Sequence, residues 1–283
     1  VTGYKSMTAD NTLYTVETNV SETPTAAWTA KGTDVGEYPV GIAAADFENT
    51  SVNFTNVEFV IVDGDLVITP ASVAVVKIAG KTGTEKYNGK QQTVSGWDVT
   101  EAPDGFDQSK VTLAEGATAE AKGKDAGTYY MGLTAASFVS ADGNYAKVKF
   151  EVVDGSLEIT KRKVTLWSED GHKNYDGSTL QRQTNIRVDG TKDVYDNDKD
   201  TATQKTFEGD GFVEGEGVNN KNVKWFDENN IAPGCYDNKF ECEPRSGSNF
   251  DNYEITYEYG KLYVNKRADN KKYEVTVKGA SGA

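Results

Sequence analysis

Residues 121–129 read Ala121-Lys122-Gly123-Lys124-Asp125-Ala126-Gly127-Thr128-Tyr129, and residues 30–38, ninety-one positions earlier, read Ala30-Lys31-Gly32-Thr33-Asp34-Val35-Gly36-Glu37-Tyr38. A third, altered copy ends at Gly234-Cys235-Tyr236. Self-similarity at a fixed period marks an array of like modules, each one supersecondary unit. The 283 residues are therefore expected to form two to three small domains rather than one large one. Modules of this size bury a core but leave little volume for a deep cleft.

Outward from these stretches, strand signals run along the whole chain. Val57-Glu58-Phe59-Val60-Ile61-Val62, Val148-Lys149-Phe150-Glu151-Val152-Val153 and Tyr253-Glu254-Ile255-Thr256-Tyr257 are rich in β-branched and aromatic residues, several alternating apolar with polar. Each is followed by a Gly turn, at Asp63-Gly64-Asp65, Asp154-Gly155-Ser156 and Tyr259-Gly260-Lys261, and then by a second apolar run. Asp-Gly between alternating runs is a strong local hairpin signal, so each repeat is expected to close on a hairpin. Gly64 and Gly155 keep the ninety-one-residue offset, while Gly155 to Gly260 is longer by an excess that falls mainly in residues 191–220. Their Asp, Glu, Gly, Asn and Lys predict a long solvated loop or an enlarged hairpin.

No helical period stands out beyond a single turn at 43–47 and its counterpart at 134–138, which predicts an all-β chain of two-sheet sandwiches. The expected boundaries are 1–70 for the first repeat, 71–161 for the second, 162–266 for the third with its acidic insert, and 267–283 for a tail. The repeated Asp-x-Gly-x-Tyr is read as a tyrosine corner, in which Tyr38, Tyr129 and, in the altered copy, Tyr236 turn a hydroxyl back onto upstream backbone. Val40 and Met131, two residues on, should then face the core.

These pieces together resemble tandem immunoglobulin-like repeats of the kind called MBG or YDG modules, found in large secreted or wall-attached bacterial proteins. The resemblance rests on Tyr87-Asn88-Gly89-Lys90, Val94-Ser95-Gly96-Trp97, Lys173-Asn174-Tyr175-Asp176-Gly177, the pairs Asn53-Phe54 and Asn144-Tyr145, Asp251-Asn252-Tyr253, and the Asp-Gly-x-Leu-x-Ile-Thr closings. It covers nearly the whole chain. It implies an extracellular immunoglobulin-like stalk, or an adhesive segment, of a larger cell-surface or secreted protein. A carbohydrate- or protein-binding module, using exposed aromatics or the insert of the third repeat, is the alternative.

The first repeat lacks the opening strand that residues 73–82 and 87–90 supply to the second. The tail Tyr273-Glu274-Val275-Thr276-Val277-Lys278-Gly279 looks like another such opening strand. Strand addition between molecules would match the two, since an unpaired edge invites pairing; the alternative is that both ends are arbitrary boundaries and the tail is disordered.

Thirty Lys and Arg against 44 Asp and Glu give a net charge of -14, which disfavours nucleic acid and anionic lipid as partners. An extracellular glycan or protein, and the neighbouring repeats themselves, are the partners that the resemblance implies. No long apolar run suggests membrane insertion. His172 is the one histidine, placed before a turn among polar residues, so triads and His-based metal sites fail on supply and no enzyme activity is expected. Asp196, Asp198 and Asp200 are the best candidates for binding Ca²⁺. Thr201 stands where an EF-hand needs Gly and Glu208 comes one position late, so a solvated acidic loop is the simpler reading; no other cofactor is indicated. Cys235 and Cys242, seven apart on an extended segment, read as free thiols. Trp28, Trp97, Trp167 and Trp225 read as core rather than as a sugar platform.

Overall fold

A computed structural model of the chain describes residues 2–24, 26–196, 201–226, 230–267 and 274–279, without the side chains of 195, 196, 201 and 202. Strands make up 45% and helix 6%, so the protein is all-β, as the alternation predicts. Its residues form two compact units, one of 1–81, 95–119 and 131–155, the other of 82–94, 120–130 and 156–283.

In the first unit the strand Ala74–Gly80 runs between two others, parallel to Val148–Val153 and antiparallel to Trp97–Glu101. Its alternation is the reason: Ala74, Val76 and Ile78 face inward and are fully buried, while Val75 and Lys77 face water. Two further ladders keep the sequence repeat in their register, Val20 opposite Asn49 and Val111 opposite Ser140. Val40, Phe47, Met131, Leu133 and Phe138 complete this core, and Val40 and Met131 are where the corner reading puts them.

In the second unit Ser156–Thr160 lies between Gly127–Tyr130 and a parallel Thr82–Lys86. The third repeat builds the same parallel closures, Arg162–Ser168 beside Tyr253–Glu258 and Gly171–Asn174 beside Gly260–Asn265. Leu157, Ile159, Leu166, Phe240, Leu262 and Val264 form its interior, with Leu180 and the half-buried Tyr236 packed on the last two. The insert of the third repeat is the enlarged hairpin of the two alternatives, Gly190–Asp196 antiparallel to Thr201–Phe207.

Three expectations need correction. The closing hairpins are absent: Val148–Val153 and Ser156–Thr160 do not pair with each other, and each joins a different sheet. The Asp-Gly turn is a crossing. Asp154 caps the chain by accepting from the Gly132 N–H at 3.0 Å and the Leu133 N–H at 2.8 Å, and Asp63 does the same for Gly41 and Ile42. Gly155 passes over Gly80 so closely that a Cβ on it would stand 2.5 Å from the Lys81 carbonyl oxygen. The glycine therefore serves a backbone crossing, and no tight turn is needed.

The second correction is that residues 57–62 are not a strand, although their counterpart 148–153 is. The inward–outward alternation is kept, with 57, 59 and 61 half-buried and 58, 60 and 62 exposed. What is missing is the partner: among the described residues no strand is paired with 57–62 as Ala74–Gly80 is with Val148–Val153. The third is that residues 274–279, despite their strand pattern, are exposed and unpaired in the single chain. A strand-forming sequence without a ladder has no backbone hydrogen bonds to hold it extended.

Candidate functional site

The repeated motif acquires a reason for nearly every residue once its surroundings are seen. The Tyr38 hydroxyl donates to the Asp34 carbonyl at 2.9 Å, and Tyr129 does so to Asp125 and Tyr236 to Ala232 at the same distance. The Tyr38 and Tyr129 rings turn back over the glycine six positions upstream. A Cβ on Gly123 would stand 2.6 Å from Tyr129 Cζ, and Gly32 lies just as close under Tyr38. The motif's first glycine is thus the floor on which the ring rests. Replacing Tyr129 by phenylalanine keeps the ring and removes one hydrogen bond. We expect a loss of about 1 kcal/mol in urea unfolding, with no change in the strand content read by circular dichroism.

The motif's aspartate has a second task, absent from the sequence reading. Asn144 Nδ2 donates to Asp34 Oδ1 at 2.9 Å, and Asn144 Oδ1 accepts from the Val35 N–H at 2.8 Å. One amide thus answers a carboxylate and a backbone donor of the preceding repeat at once. The same clamp recurs: Asn252 Nδ2 donates to Asp125 Oδ1 at 2.8 Å, and Asn252 Oδ1 accepts from the Ala126 N–H at 2.7 Å. Only an amide side chain offers a donor and an acceptor in this fork, which accounts for asparagine at both positions.

Each clamp is supported from behind. In the first, Asp142 is buried, accepts from the Asn144 N–H at 2.9 Å and also caps Asp107, while Ala71 pairs with Tyr145 in an isolated parallel bridge. In the second, Asn252 is 1% exposed and ends a one-turn helix, Phe250–Asn252.

The second joint carries further polar contacts. Glu216 accepts from the Tyr87 hydroxyl at 2.6 Å and from the Tyr253 hydroxyl at 2.7 Å, with the two rings edge to face at 5.6 Å. Burial pushes the Tyr253 hydroxyl up to about 12, and the Glu216 carboxylate adds to the rise; burial and then Glu216 also raise that of Tyr87. Both hydroxyls therefore stay protonated and donate at any physiological pH. Arg162 spreads its guanidinium over the carbonyls of Tyr87, Asp210 and Gly211, and Lys86 pairs with Asp210. Lys86 first, and the Lys163 N–H after it, hold the Asp210 carboxyl below the usual carboxylate range. The Tyr87-Asn88-Gly89 stretch of the second repeat and the Gly209-Asp210-Gly211 turn of the third meet here; a Cβ on Gly89 would stand 3.2 Å from Val213 Cγ2.

The third repeat departs from this pattern where the clamp would be made. Ala232 occupies the position of Asp34 and Asp125, and Pro233 that of Val35 and Ala126. Neither a carboxylate nor a backbone N–H is left there, so this corner keeps its tyrosine but cannot hold a following asparagine.

The other candidates disperse. Asp196 ends its strand with its side chain outside the described residues, and Asp198 and Asp200 lie outside them altogether. Among the described residues no three His, Cys, Asp or Glu side chains converge on a metal position. His172 lies exposed on the strand Gly171–Asn174. Cys235 and Cys242 are free thiols, and burial raises both, which makes them weak nucleophiles at neutral pH. Each tryptophan packs on a phenylalanine: Trp28 on Phe47, Trp97 on Phe138, Trp167 on Phe207 and Trp225 on Phe240, at 5.0–5.8 Å between ring centres. A shallow depression of about 610 Å³ over Phe138, Val148 and Phe150 has Asp142 as the one carboxylate on its wall.

The signal for the clamp was present in the recurring Asn53-Phe54, Asn144-Tyr145 and Asn252-Tyr253 pairs. What the pairs met could not be read locally, because the partners are more than 100 residues away. The chain matches no family model, no curated protein and no solved structure.

Proposed function

We propose that the chain is a spacer: a run of immunoglobulin-like repeats in a larger extracellular protein of a bacterial surface, whose work is to hold other parts at a set distance. The observation that carries this reading is the asparagine clamp, made twice with the same atoms at 2.7–2.9 Å. A device spent on fixing one repeat against the next is what a spacer requires. A catalyst or a receptor gains nothing from its recurrence. The packing of each tryptophan on a phenylalanine, with Trp167 buried and the other three half-buried, supports the same reading over a sugar-binding platform, which needs aromatic faces in water. The net charge of -14 keeps neighbouring spacers apart and soluble.

Small-angle scattering at low protein concentration tests the proposal. A compact globule of this length has a radius of gyration of about 19 Å. We expect a value well above that, with a pair-distance distribution skewed to long distances. A value near the compact figure would rule out a spacer. The adhesive alternative would be favoured instead by saturable binding to a glycan array.

A further inference from the structure

Asn88-Gly89 is the one Asn-Gly pair in the sequence; every other asparagine is followed by a residue that carries a side chain. The pair lies in the connection between the strands Thr82–Lys86 and Gln92–Ser95, with Asn88 exposed and Gly89 at a left-handed φ of 76°. The Asn88 side chain folds forward, so that its Oδ1 accepts from the Lys90 N–H at 2.9 Å. That bond lays the amide carbon along the peptide that joins residues 88 and 89. Among the described residues nothing accepts from the Gly89 N–H or from Asn88 Nδ2. An electrophilic carbon with a leaving nitrogen, an unengaged backbone nitrogen beside it and no Cβ on the next residue to crowd the approach are thus brought together.

We infer that Asn88 is a site of self-modification, at which the Gly89 backbone nitrogen attacks Asn88 Cγ and the side-chain nitrogen leaves as ammonia. The Gly89 amide gives its proton to hydroxide, and its electron pair forms the new bond to Cγ. The Cγ–Nδ2 bond breaks, Nδ2 takes a proton from water, and a five-membered cyclic imide remains. Water then opens the ring at one of its two carbonyl carbons. Opening at Cγ gives aspartate; opening at the main-chain carbonyl of residue 88 gives isoaspartate, whose main chain runs through Cβ and Cγ. Nothing is oxidised or reduced, and water is the only reagent.

The fold directs the reaction to this asparagine. Asn144 and Asn252 have both amide atoms engaged in the clamps, and each is followed by a tyrosine. Asn88 has neither protection, yet it sits at the second joint, where the chain has little slack. On one side Tyr87 is 2% exposed, with its N–H on the Thr160 carbonyl at 2.9 Å and its hydroxyl on Glu216. On the other, a Cβ on Gly89 would stand 3.2 Å from Val213 Cγ2 and 3.9 Å from Glu216 Oε1. Isoaspartate adds one atom to the main chain between these two fixed points. It also adds a carboxylate to a joint that already holds Glu216, and ends the bond from Asn88 Oδ1 to Lys90. The joint therefore carries a built-in clock: it is tight in the new chain and loosens as residue 88 converts. This goes beyond the spacer reading and does not rest on it, since the chemistry needs only the turn.

The test holds the full 283-residue chain warm for several weeks at mildly acidic and mildly alkaline pH, and follows it by peptide mapping with mass spectrometry. The peptide carrying Asn88 should gain one mass unit, faster at alkaline pH in proportion to hydroxide. Enzymatic carboxyl methylation of that peptide should reveal isoaspartate. Asp-Gly pairs isomerise without a change of mass, so the gain is specific to asparagine. The isoaspartyl chain should melt below the fresh one. N88Q, whose longer side chain would have to close a six-membered ring, should show no gain. N88D supplies the charge without the extra main-chain atom and, measured fresh, should melt above the isoaspartyl chain. An Asn88 peptide that keeps its mass in the folded chain overturns the site, and so does an equal rate of gain at Asn144 or Asn252. A converted chain that melts with the parent overturns the loosening of the joint.

Discussion

Replacing Gly260 by alanine should cost about 3 kcal/mol or more, enough to lower the melting temperature by several degrees, while the same change at Gly64 stays within about 0.5 kcal/mol. The two glycines hold equivalent places in the sequence repeat and differ in what lies above them. A Cβ on Gly260 would overlap the Glu169 carbonyl oxygen and stand 2.6 Å from that of Ser168. These are backbone atoms at and just past the end of the strand Arg162–Ser168, which cannot step aside as a side-chain tip would. The crossing is tied further by Ser168, whose Oγ accepts from the Gly260 N–H at 2.9 Å and donates to the Asn238 carbonyl at 2.6 Å. G155A should behave like G260A, because Gly80 and Lys81 pass over it in the same way. Thermal unfolding of the three alanine variants side by side checks the claim; equal losses would show that the crossing is not what these glycines serve.

Asn252→Leu should be the most damaging change at the joints, with a loss of about 2–3 kcal/mol against about 1 kcal/mol for Asn144→Leu. Both remove an amide that satisfies a carboxylate and a backbone N–H. They differ in burial: Asn252 is sealed in, whereas Asn144 is half-exposed and water can replace it. Charge gives a sharper version. N252D removes the donor and sets a second carboxylate against Asp125, where 2.8 Å now separates Nδ2 from Oδ1. The like charge raises the folded-state pKa of the introduced carboxyl above its unfolded value. The folded state therefore binds more protons than the unfolded one, and stability should rise as pH falls from neutral toward about 4. Denaturant midpoints at pH 7 and pH 4.5 would check the sign; a midpoint that falls on acidification by as much as in the parent would place Asn252 outside the clamp.

Reading the residues alone went far on what is local. The ninety-one-residue offset reappears in the registers, where Tyr38 lies opposite Leu66 and Tyr129 opposite Leu157. The corner hydroxyls bond the carbonyls four residues upstream, and Val40 and Met131 are buried. The failures share one cause. Asp154-Gly155 has the composition of a hairpin, and residues 57–62 that of a strand, but composition does not say which backbone lies alongside. Ala74 finds Val148, and Arg162 finds Tyr253, across gaps of more than 70 residues.

Alternation of side chains along the chain therefore determined by itself that this protein is all-β, repeated, and built on corner tyrosines, because the faces of a strand are set by the residues of that strand. Pairing was decided only in the tertiary structure. A ladder needs a second backbone at about 4.8 Å, and its presence beside Val148–Val153 and absence beside 57–62 depends on a segment distant in sequence. The asparagine clamps belong to the same class, since each joins a loop of one repeat to the next at a distance that no local pattern encodes.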